Sequence, residues 1–266
     1  MNIKRLSSKF TTDRELADYW ARLKPDENLT PEDEERWKKR ASFLENISAQ
    51  NNVALMLWNA YTNRFVFMSD KWAVLGGYSP EMYTGEKGLA FSISKIHPDF
   101  LPACLLMNEK GIQYISRNPG IPVNKIFISL NLNYLKKDGT YFQILQQSVI
   151  VETDKKRQPL LALSYISDIS HIKKPGCADM IISSPAGAEI YTYDFEMKTL
   201  IPVKSLSEKE KNILIKLSTG MDTKKIAQAV NVSPNTVDTH RRNIIKKTNC
   251  IDTTAAVTYA RLTGII

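Results

Sequence analysis

Residues 51–172 contain several short apolar segments, and in one of them apolar and polar residues alternate with a period of two. This is the run in which Ile128, Leu130 and Leu132 alternate with polar neighbours, which predicts a strand with one buried face. Other short apolar runs predict four more strands, at residues 53–58, 64–68, 141–151 and 160–167. Turn residues and a helix from residue 97 to about 114 separate the second strand from the third. The pattern predicts an α+β fold with an antiparallel five-stranded sheet and helices on one face.

A helical period replaces this alternation in residues 1–50. Two apolar stripes at helical spacing are present, one containing Trp20 and the other Trp37. The first helix is predicted to begin near Thr12 and the second at Pro31. These stripes need a surface to cover them. That surface is either the following domain or a second copy of the chain, and the sequence leaves both open.

Residues 173–205 are predicted to be a linker, because turn-forming residues lie at 175–176 and again at 183–187. Residues 189–195 and 199–203 within it favour a short β-hairpin. The chain is therefore expected to have four parts: an N-terminal helical segment (1–50), the sheet domain (51–172), the linker (173–205) and an all-α four-helix segment (206–266).

The last segment has the start and stop signals of a helix-turn-helix. Ser207 and Glu210 have capping-box spacing at the start of its first helix. Gly220 suits the end of that helix, and Asp222 can cap a short second one. The run 231–234, Asn-Val-Ser-Pro, then predicts a tight turn and a third helix to about residue 248. A short helix, a tight connection and a longer helix are the helix-turn-helix pattern.

The third helix has two chemically different sides when its residues are placed about 100° apart. The packing side carries Val237, Ile244 and Thr248. The opposite side is polar or basic and carries Asn235, Thr239, Arg242 and Lys246. Asn, Thr and Arg can contact base edges, and Lys suits phosphate. A solvated surface is the alternative explanation, because charged helix faces commonly have that role.

Positive charge is concentrated in the same segment. The chain has 36 Lys and Arg against 28 Asp and Glu, a net charge of +8. Residues 204–266 hold 11 basic and 5 acidic residues, which gives +6 in the last quarter alone. A basic excess confined to one small domain indicates nucleic-acid binding.

The remaining composition narrows the class of protein. Cys104, Cys177 and Cys250 are far apart and the histidines do not cluster with them, which argues against a disulfide framework or a zinc site. Widely spaced cysteines also fit a reducing compartment. The longest apolar runs are too short to cross a membrane, and the N-terminus lacks a signal-peptide pattern. We expect a cytoplasmic protein without a membrane partner.

Residues 206–266 resemble the C-terminal DNA-binding domain of LuxR/NarL/FixJ-type regulators. The residues that carry the likeness are Leu206-Ser207 with Glu210, Gly220 with Lys225-Ile226-Ala227, Val232-Ser233, Thr236-Val237, His240-Arg241, Asn243-Ile244 and Lys247. The resemblance implies that the positions just after Thr236-Val237, and those one turn on, contact DNA.

The resemblance and the helix face together give a set of expected DNA-binding residues. They are Lys224, Lys225, Ser233, Asn235, Thr236, Asp238, Thr239, Arg242, Lys246 and Lys247. Asp238 departs from the Lys or Arg that many members of the family carry there. An acid repels phosphate but can accept a hydrogen bond from the amino group of cytosine, so Asp238 bears on base preference.

Residues 51–172 resemble the PAS fold. The likeness is carried by residues 72–81, Ile96-His97-Pro98-Asp99, residues 136–140 and Ser167-Asp168-Ile169-Ser170. It implies a domain that senses a small molecule, redox state or light, or that pairs with another PAS domain. The residues that could line a sensor cavity are Met56, Trp58, Phe67, Trp72 and Tyr134, with an ordinary core as the alternative.

The sequence does not specify a cofactor. Cys104 lies among leucines late in a helix and is interpreted as core rather than as a flavin-reactive thiol. His97 precedes Pro98 at a helix start and is interpreted as structural rather than as a haem ligand. With neither a haem nor a flavin signature, a small-molecule ligand of unknown identity is the remaining expectation.

These features predict a DNA-binding transcriptional regulator. The PAS-like domain would sense a signal or mediate dimerisation, and the helix-turn-helix would read the major groove. Double-stranded DNA and a second copy of the chain are the expected partners, and RNA polymerase is a further candidate. A PAS-fold interaction scaffold is the alternative. An enzyme is not expected, because the sequence has no nucleophile elbow, phosphate-binding Gly loop or metal-ligand cluster.

The assignment of sides on the third helix can be tested by alanine substitution. Arg242→Ala and Lys246→Ala should weaken DNA binding without changing stability, Arg242→Ala by about 1–3 kcal/mol if it contacts a base. Val237→Ala should instead lower the free energy of unfolding by roughly 2 kcal/mol, since it empties a packed position. Gel-shift titration and urea unfolding measure the two effects. Equal destabilisation by all three variants would show that the helix is rotated from this assignment.

Overall fold

The computed structural model describes residues 31–51 and 53–266. The helices are α1 (Pro31–Asn51), α2 (Lys71–Gly76), α3 (Glu81–Thr84), α4 (Gly88–Ser94), α5 (Leu101–Arg117), α6 (Glu208–Ser218), α7 (Thr223–Ala229), α8 (Pro234–Thr248) and α9 (Thr253–Leu262). The strands are β1 (Ala54–Asn59), β2 (Arg64–Met68), β3 (Phe127–Leu135), β4 (Tyr141–Thr153), β5 (Pro159–Asp168), β6 (Asp179–Ser184), β7 (Gly187–Asp194) and β8 (Thr199–Val203). Short 3-10 turns lie at Pro98–Phe100 and Val123–Lys125. The helix predicted near Thr12 lies outside the described residues.

The strands form one antiparallel sheet in the order β2-β1-β5-β4-β3-β6-β7-β8. The five strands predicted from the sequence, β1 to β5, are all present, with α2 to α5 between β2 and β3. This arrangement confirms the α+β, PAS-like architecture of that region. We call β1 to β5 with α2 to α5 the sheet domain.

The sheet is wider than the five strands predicted. β6 pairs with the free edge of β3, and β7 and β8 continue beyond it, so the predicted linker 173–205 contains three strands. The predicted hairpin is present as β7 and β8. The β6 strand was missed because Met180, Ile181 and Ile182 form one short apolar run without polar residues between them. Met180 and Ile182 face the inner core and Ile181 faces the outer one, so both faces of this strand are buried. Pairing with β6 also satisfies the main-chain groups that an edge strand leaves open.

The inner face of the sheet and the helices α2 to α5 enclose one apolar core. Trp72 from α2, Tyr83 from α3 and Met107 from α5 are almost completely buried against inward residues of β3 such as Leu130 and Leu132. Each such large side chain contributes about 1.5–3 kcal/mol when it is removed from water. This core therefore fixes the helices on the inner face.

The outer face of the sheet is covered near β1 by α1. Trp37 is 1% exposed and packs in one cluster with Leu57 and Leu161. Its indole Nε1 donates to Glu152 Oε1 at 3.1 Å, so its polar atom is also satisfied. The sequence left open whether the following domain or a second copy of the chain covers the apolar stripe of this helix. In the structure, the sheet of the same chain covers it.

The outer face near β4, β6 and β7 is covered by the four C-terminal helices, α6 to α9, which we call the helix-turn-helix domain. Leu145, Ile181 and Ile190 from the sheet belong to the same buried cluster as Ile213 of α6 and Tyr259 of α9. The predicted all-α domain is thus present and shares its core with the sheet. Within the described part of the chain, each helix is too short or too polar to cross a membrane.

The predicted capping box is present at the start of α6. Ser207 Oγ accepts from the Glu210 main-chain N–H at 3.3 Å, and Glu210 Oε2 accepts from the Ser207 N–H at 2.7 Å. The same carboxylate, whose side chain is 4% exposed, lies 2.7 Å from Lys247 Nζ at the end of α8. Burial raises the pKa of Glu210, but the hydrogen bonds from Lys247 and Ser207 outweigh it and hold the pKa below its usual value.

A charge-removing substitution tests this contact. Glu210→Gln keeps a capping side chain but loses the attraction to Lys247, so the free energy of unfolding should fall by about 1–3 kcal/mol at neutral pH. Because the folded-state pKa is lowered, the stabilisation is present above the unfolded-state pKa and is lost as the pH falls through the folded-state pKa. The difference between wild type and variant should therefore shrink as the solution is acidified.

Glu208→Gln is the matched control for that experiment. It removes the same charge from the same helical turn, but the Glu208 side chain is 89% exposed and pairs with the solvent-exposed end of Lys211. Urea unfolding at several pH values should show little change for this variant. If both variants behave alike, the contact between Glu210 and Lys247 does not stabilise the domain.

Candidate nucleic-acid interface and ligand cavity

Helix α8 begins directly after a tight turn that exposes its N-terminus. Asn231 adopts a left-handed conformation with φ of 54°, as the sequence predicted. Ser233 Oγ then accepts from the Thr236 N–H at 3.1 Å, and Pro234 occupies the first helical position. This geometry presents the first turns of α8 to solvent, as a helix that enters a DNA groove requires.

The packing side of α8 is buried as predicted. Val237 and Ile244 are 0% exposed and Thr248 is 3% exposed. Arg241 is half-buried at the edge of this side, where Nη1 donates to Thr223 Oγ1 at 2.8 Å and Nε donates to Thr253 Oγ1 at 3.3 Å. Arg241 therefore joins the first turns of α7 and α9 to α8 and is a structural residue.

The opposite side of α8, which we call the polar side, is exposed to solvent. It carries Asn235, Asp238, Thr239, Arg242 and Lys246. Arg242 Nη2 lies 3.3 Å from Thr239 Oγ1, so the guanidinium is already oriented along the helix. Asp238 Oδ1 lies 3.7 Å from Arg241 Nη1, which partly offsets its negative charge. The polar side thus brings together the side chains that the sequence assigned to base and phosphate contacts.

The other expected DNA-binding residues lie outside the polar side of α8. Lys224 and Lys225 are exposed on α7. Ser233 and Thr236 share a hydrogen bond of 2.8 Å between their hydroxyls, so both are engaged in the helix start. Lys247 is held by Glu210 and by the Ser205 carbonyl, and its ammonium group therefore already has partners within the domain.

The sheet domain contains a cavity of about 140 Å³ between the inner face of the sheet and its helices. Four of the five residues predicted to line it do so, namely Met56, Trp58, Trp72 and Tyr134. Most of the remaining lining is aliphatic, and charged side chains do not occur among the described lining residues. The cavity can therefore hold a neutral, mainly apolar molecule, and its volume is close to that of an engineered cavity that accepts benzene.

The prediction that Phe67 lines the cavity is wrong. β2 has a bulge, because Leu57 of β1 pairs with Phe67 but the next residue, Trp58, pairs with Phe65. Val66 is the extra residue, and it reverses the alternation between its neighbours. Phe65 therefore lines the cavity, and Phe67 packs with Trp37 on the outer face.

Polar groups lie in two parts of the cavity. The Tyr134 hydroxyl is 3.3 Å from the Tyr83 hydroxyl and 3.4 Å from Ser92 Oγ. Burial raises the pKa of Tyr134 well above its usual value, so the phenol stays neutral and can donate and accept hydrogen bonds. The second group is on the sheet, where the hydroxyls of Ser148 and Ser164 are 2.8 Å apart.

The sequence analysis missed these polar groups, although one signal for them exists. Gln146 and Ser148 occupy the inward positions of β4 between Ile144 and Ile150, so the period of two already placed polar side chains among buried ones. The pairing of Ser148 with Ser164 needed the register of β4 and β5, which sequence alone does not specify. Polar residues on the inward face of a strand indicate either a hydrogen-bonded pair or a ligand contact.

Cys104 and His97 have surroundings that fit the roles predicted for them. Cys104 lines the cavity, and burial raises the pKa of its thiol to about 12, so it stays protonated. His97 Nδ1 accepts from the Asp99 N–H at 3.2 Å, and its ring packs against Tyr141 with 4.6 Å between ring centroids. The His97 ring therefore caps a helical turn at the rim of the sheet.

Comparison with known proteins identifies the C-terminal part of the chain. Residues 204–260 match the GerE model, which describes bacterial regulatory proteins of the luxR family. The regulatory protein SdiA of Escherichia coli (strain K12) is 36% identical over 67 residues, which are 25% of this chain and 28% of SdiA. The chain thus spans less than a third of the length of this relative.

Two solved structures illustrate what the chain is similar to. One is the VqmA–ligand–DNA complex of Vibrio cholera, with 15% identity, a TM-score of 0.30 and coverage of 82% of this chain and 85% of the other. The second is a PAS domain from the fruit-fly ELK potassium channel, with 28% identity, a TM-score of 0.32 and coverage of 48% and 98%. The fold assignment rests on the strand order above, and the family assignment rests on residues 204–260. By that match, the C-terminal helices of this chain are a helix-turn-helix domain of the luxR family of bacterial regulatory proteins, joined here to a PAS-like sheet domain.

Proposed function

We propose that the protein is a DNA-binding transcriptional regulator in which the helix-turn-helix domain reads the major groove of double-stranded DNA. The observation that carries the proposal is the exposed polar side of α8, whose opposite side carries the buried residues Val237, Ile244 and Thr248 in a segment that matches the luxR-family model. We place the boundary of that domain near residue 204, just after β8.

The polar side offers two kinds of contact to DNA. Arg242 and Asn235 can hydrogen-bond base edges, and Lys246 can contact phosphate. Asp238 can accept from a cytosine amino group, and its proximity to Arg241 reduces its repulsion of the backbone. On α7, Lys224 and Lys225 are exposed and would add phosphate contacts beside the groove. We infer that a homodimer binds, because two copies can read two half-sites on one duplex.

The cavity supports a sensing role for the sheet domain. It is mainly apolar, has neutral hydroxyl and amide groups, and lies against the inner face of the sheet whose outer face packs on the DNA-binding helices. A ligand that fits would be neutral, about the size of benzene, and able to hydrogen-bond with Tyr134 or Ser148. We also propose that the protein acts in the cytoplasm and that it contacts RNA polymerase.

Salt dependence tests the DNA-binding proposal. If Lys224, Lys225 and Lys246 each neutralise one phosphate, affinity per copy should fall about 40-fold between 50 and 200 mM salt. Gel shifts with duplexes selected from a random pool measure this. Lys246→Ala should reduce the slope of log affinity against log salt concentration by about one. Lys125→Ala removes an exposed charge from the sheet domain and should leave this slope unchanged. Binding that does not change with salt would rule out the proposed interface.

Mass spectrometry of small molecules released from the purified protein tests the sensing proposal. A neutral compound present at about one per chain is expected from the wild type. Ser164→Leu adds side-chain volume inside the cavity and removes a hydroxyl, so the compound should be lost while DNA binding by the unliganded protein is still measurable. Retention of the compound by this variant would place its binding site elsewhere on the protein.

A further inference from the structure

The buried side chain of Lys173 lies where the sheet meets the end of α8. Its Nζ is 2.5 Å from Asp179 Oδ2, and it also donates to the main-chain carbonyl of Thr248. It lies 4.2 Å from the centroid of the Tyr259 ring. Thr248 is the last residue of α8 and Tyr259 belongs to α9, so one ammonium group from outside the helix-turn-helix domain contacts two of its helices.

Main-chain and side-chain bonds surround this contact. The Ile251 N–H donates to the Ile172 carbonyl at 3.0 Å, and the Lys174 N–H donates to the Asn249 carbonyl at 2.9 Å. Asn249 Nδ2 donates to Asp179 Oδ1 at 3.1 Å. Asn249 ends α8 in a left-handed conformation with φ of 51°, which places its side chain toward the sheet and its carbonyl toward Lys174.

A buried ion pair restricts how the helix-turn-helix domain can be arranged on the sheet. Apolar side chains tolerate sliding, but an ammonium group removed from water is strongly unfavourable unless its partners are in place. Burial lowers the pKa of Lys173, but Tyr259 and the adjacent Asp179 carboxylate together outweigh it and raise the pKa, so the side chain stays charged. The Thr248 carbonyl lies at the negative end of α8, where a cation is favoured. The pair is satisfied when the end of α8 is on the sheet.

One strand connects this contact to the cavity. On β3, Leu130 and Leu132 line the cavity, and Asn131 between them points to the other face. Asn131 Oδ1 accepts from the Asp179 N–H at 2.8 Å, and its Nδ2 donates to the Cys177 carbonyl at 2.7 Å. Movement of β3 at the cavity would therefore displace Asp179.

We propose that Lys173, Asp179 and Asn249 form a latch that fixes the end of the DNA-reading helix on the sheet, and that Asn131 couples this latch to the cavity. The latch itself is independent of any ligand, whereas its use in regulation rests on the proposed function. A ligand that shifts β3 would loosen or tighten the latch and so change the orientation of the polar side of α8 relative to the sheet.

Hydrogen exchange of the full-length protein tests the latch. The amides of residues 174 and 251 donate across the contact, so their exchange reports its opening. Lys173→Met should raise the exchange rates of both at least about tenfold, because it leaves Asp179 without its cation. Lys174→Met is the matched control, since it removes an adjacent but exposed Lys and should leave Ile251 protected. Unchanged protection in folded Lys173→Met would overturn the latch.

Further variants separate release of the latch from loss of fold. Amides in the pairing of β4 with β5 should stay protected when only the latch opens. If Lys173→Met loses that protection too, Asn249→Gly decides the question, because Gly keeps the left-handed conformation and removes only the bond to Asp179. Faster exchange at residues 174 and 251 in this variant supports the latch, and wild-type exchange overturns it.

The coupling through β3 has its own test. Asn131→Leu, or Asn131→Thr if the first variant does not fold, should speed exchange at residue 251, although the Asn131 side chain hydrogen-bonds only to Cys177 and Asp179 among the described residues. Wild-type exchange at residue 251 would overturn the coupling. Gel shifts of wild-type protein are measured separately, so a failure of DNA binding is distinguished from a failure of the latch.

Discussion

Burial of both faces of one antiparallel sheet is the constraint on which the rest of this structure depends. Successive residues of a strand point to opposite faces, so each central strand serves two cores at once. On β3, Leu130 and Leu132 pack in the sheet domain, and Asn131 faces the contact with the C-terminal helices. The cavity and the contact with the DNA-binding helices therefore lie on opposite faces of the same strand, and no flexible tether separates them.

Features that depend on local chemistry were predictable from the sequence. The capping box of Ser207 and Glu210, the left-handed Asn231 and the cap at Ser233 each involve residues within about one turn of one another. The burial of Val237 and Ile244 followed from helical periodicity alone. The same periodicity is sufficient to assign the residues of the polar side of α8.

Features that depend on pairing between distant residues were not predictable. Lys173 and Thr248 are 75 residues apart, and Glu210 and Lys247 are 37 apart, so no local pattern connects them. In the sequence, Lys173 and Lys174 look alike, and only the fold makes one buried and the other exposed. The position of β6 and the register of Ser148 with Ser164 belong to the same category, because strand order and register are settled by packing.

The bulge in β2 has a consequence for how such a cavity can arise. Val66 is the inserted residue that directs Phe65 inward and Phe67 outward. If the strand kept Val66 but paired without a bulge, strict alternation would turn Phe65 and Phe67 toward the same face. Room inside the domain thus depends on a bulge in an edge strand that keeps the second phenylalanine on the outer face. A change that removes such a bulge while keeping its residues is an evolutionary step by which a domain of this architecture can fill its cavity and lose the ability to hold a ligand.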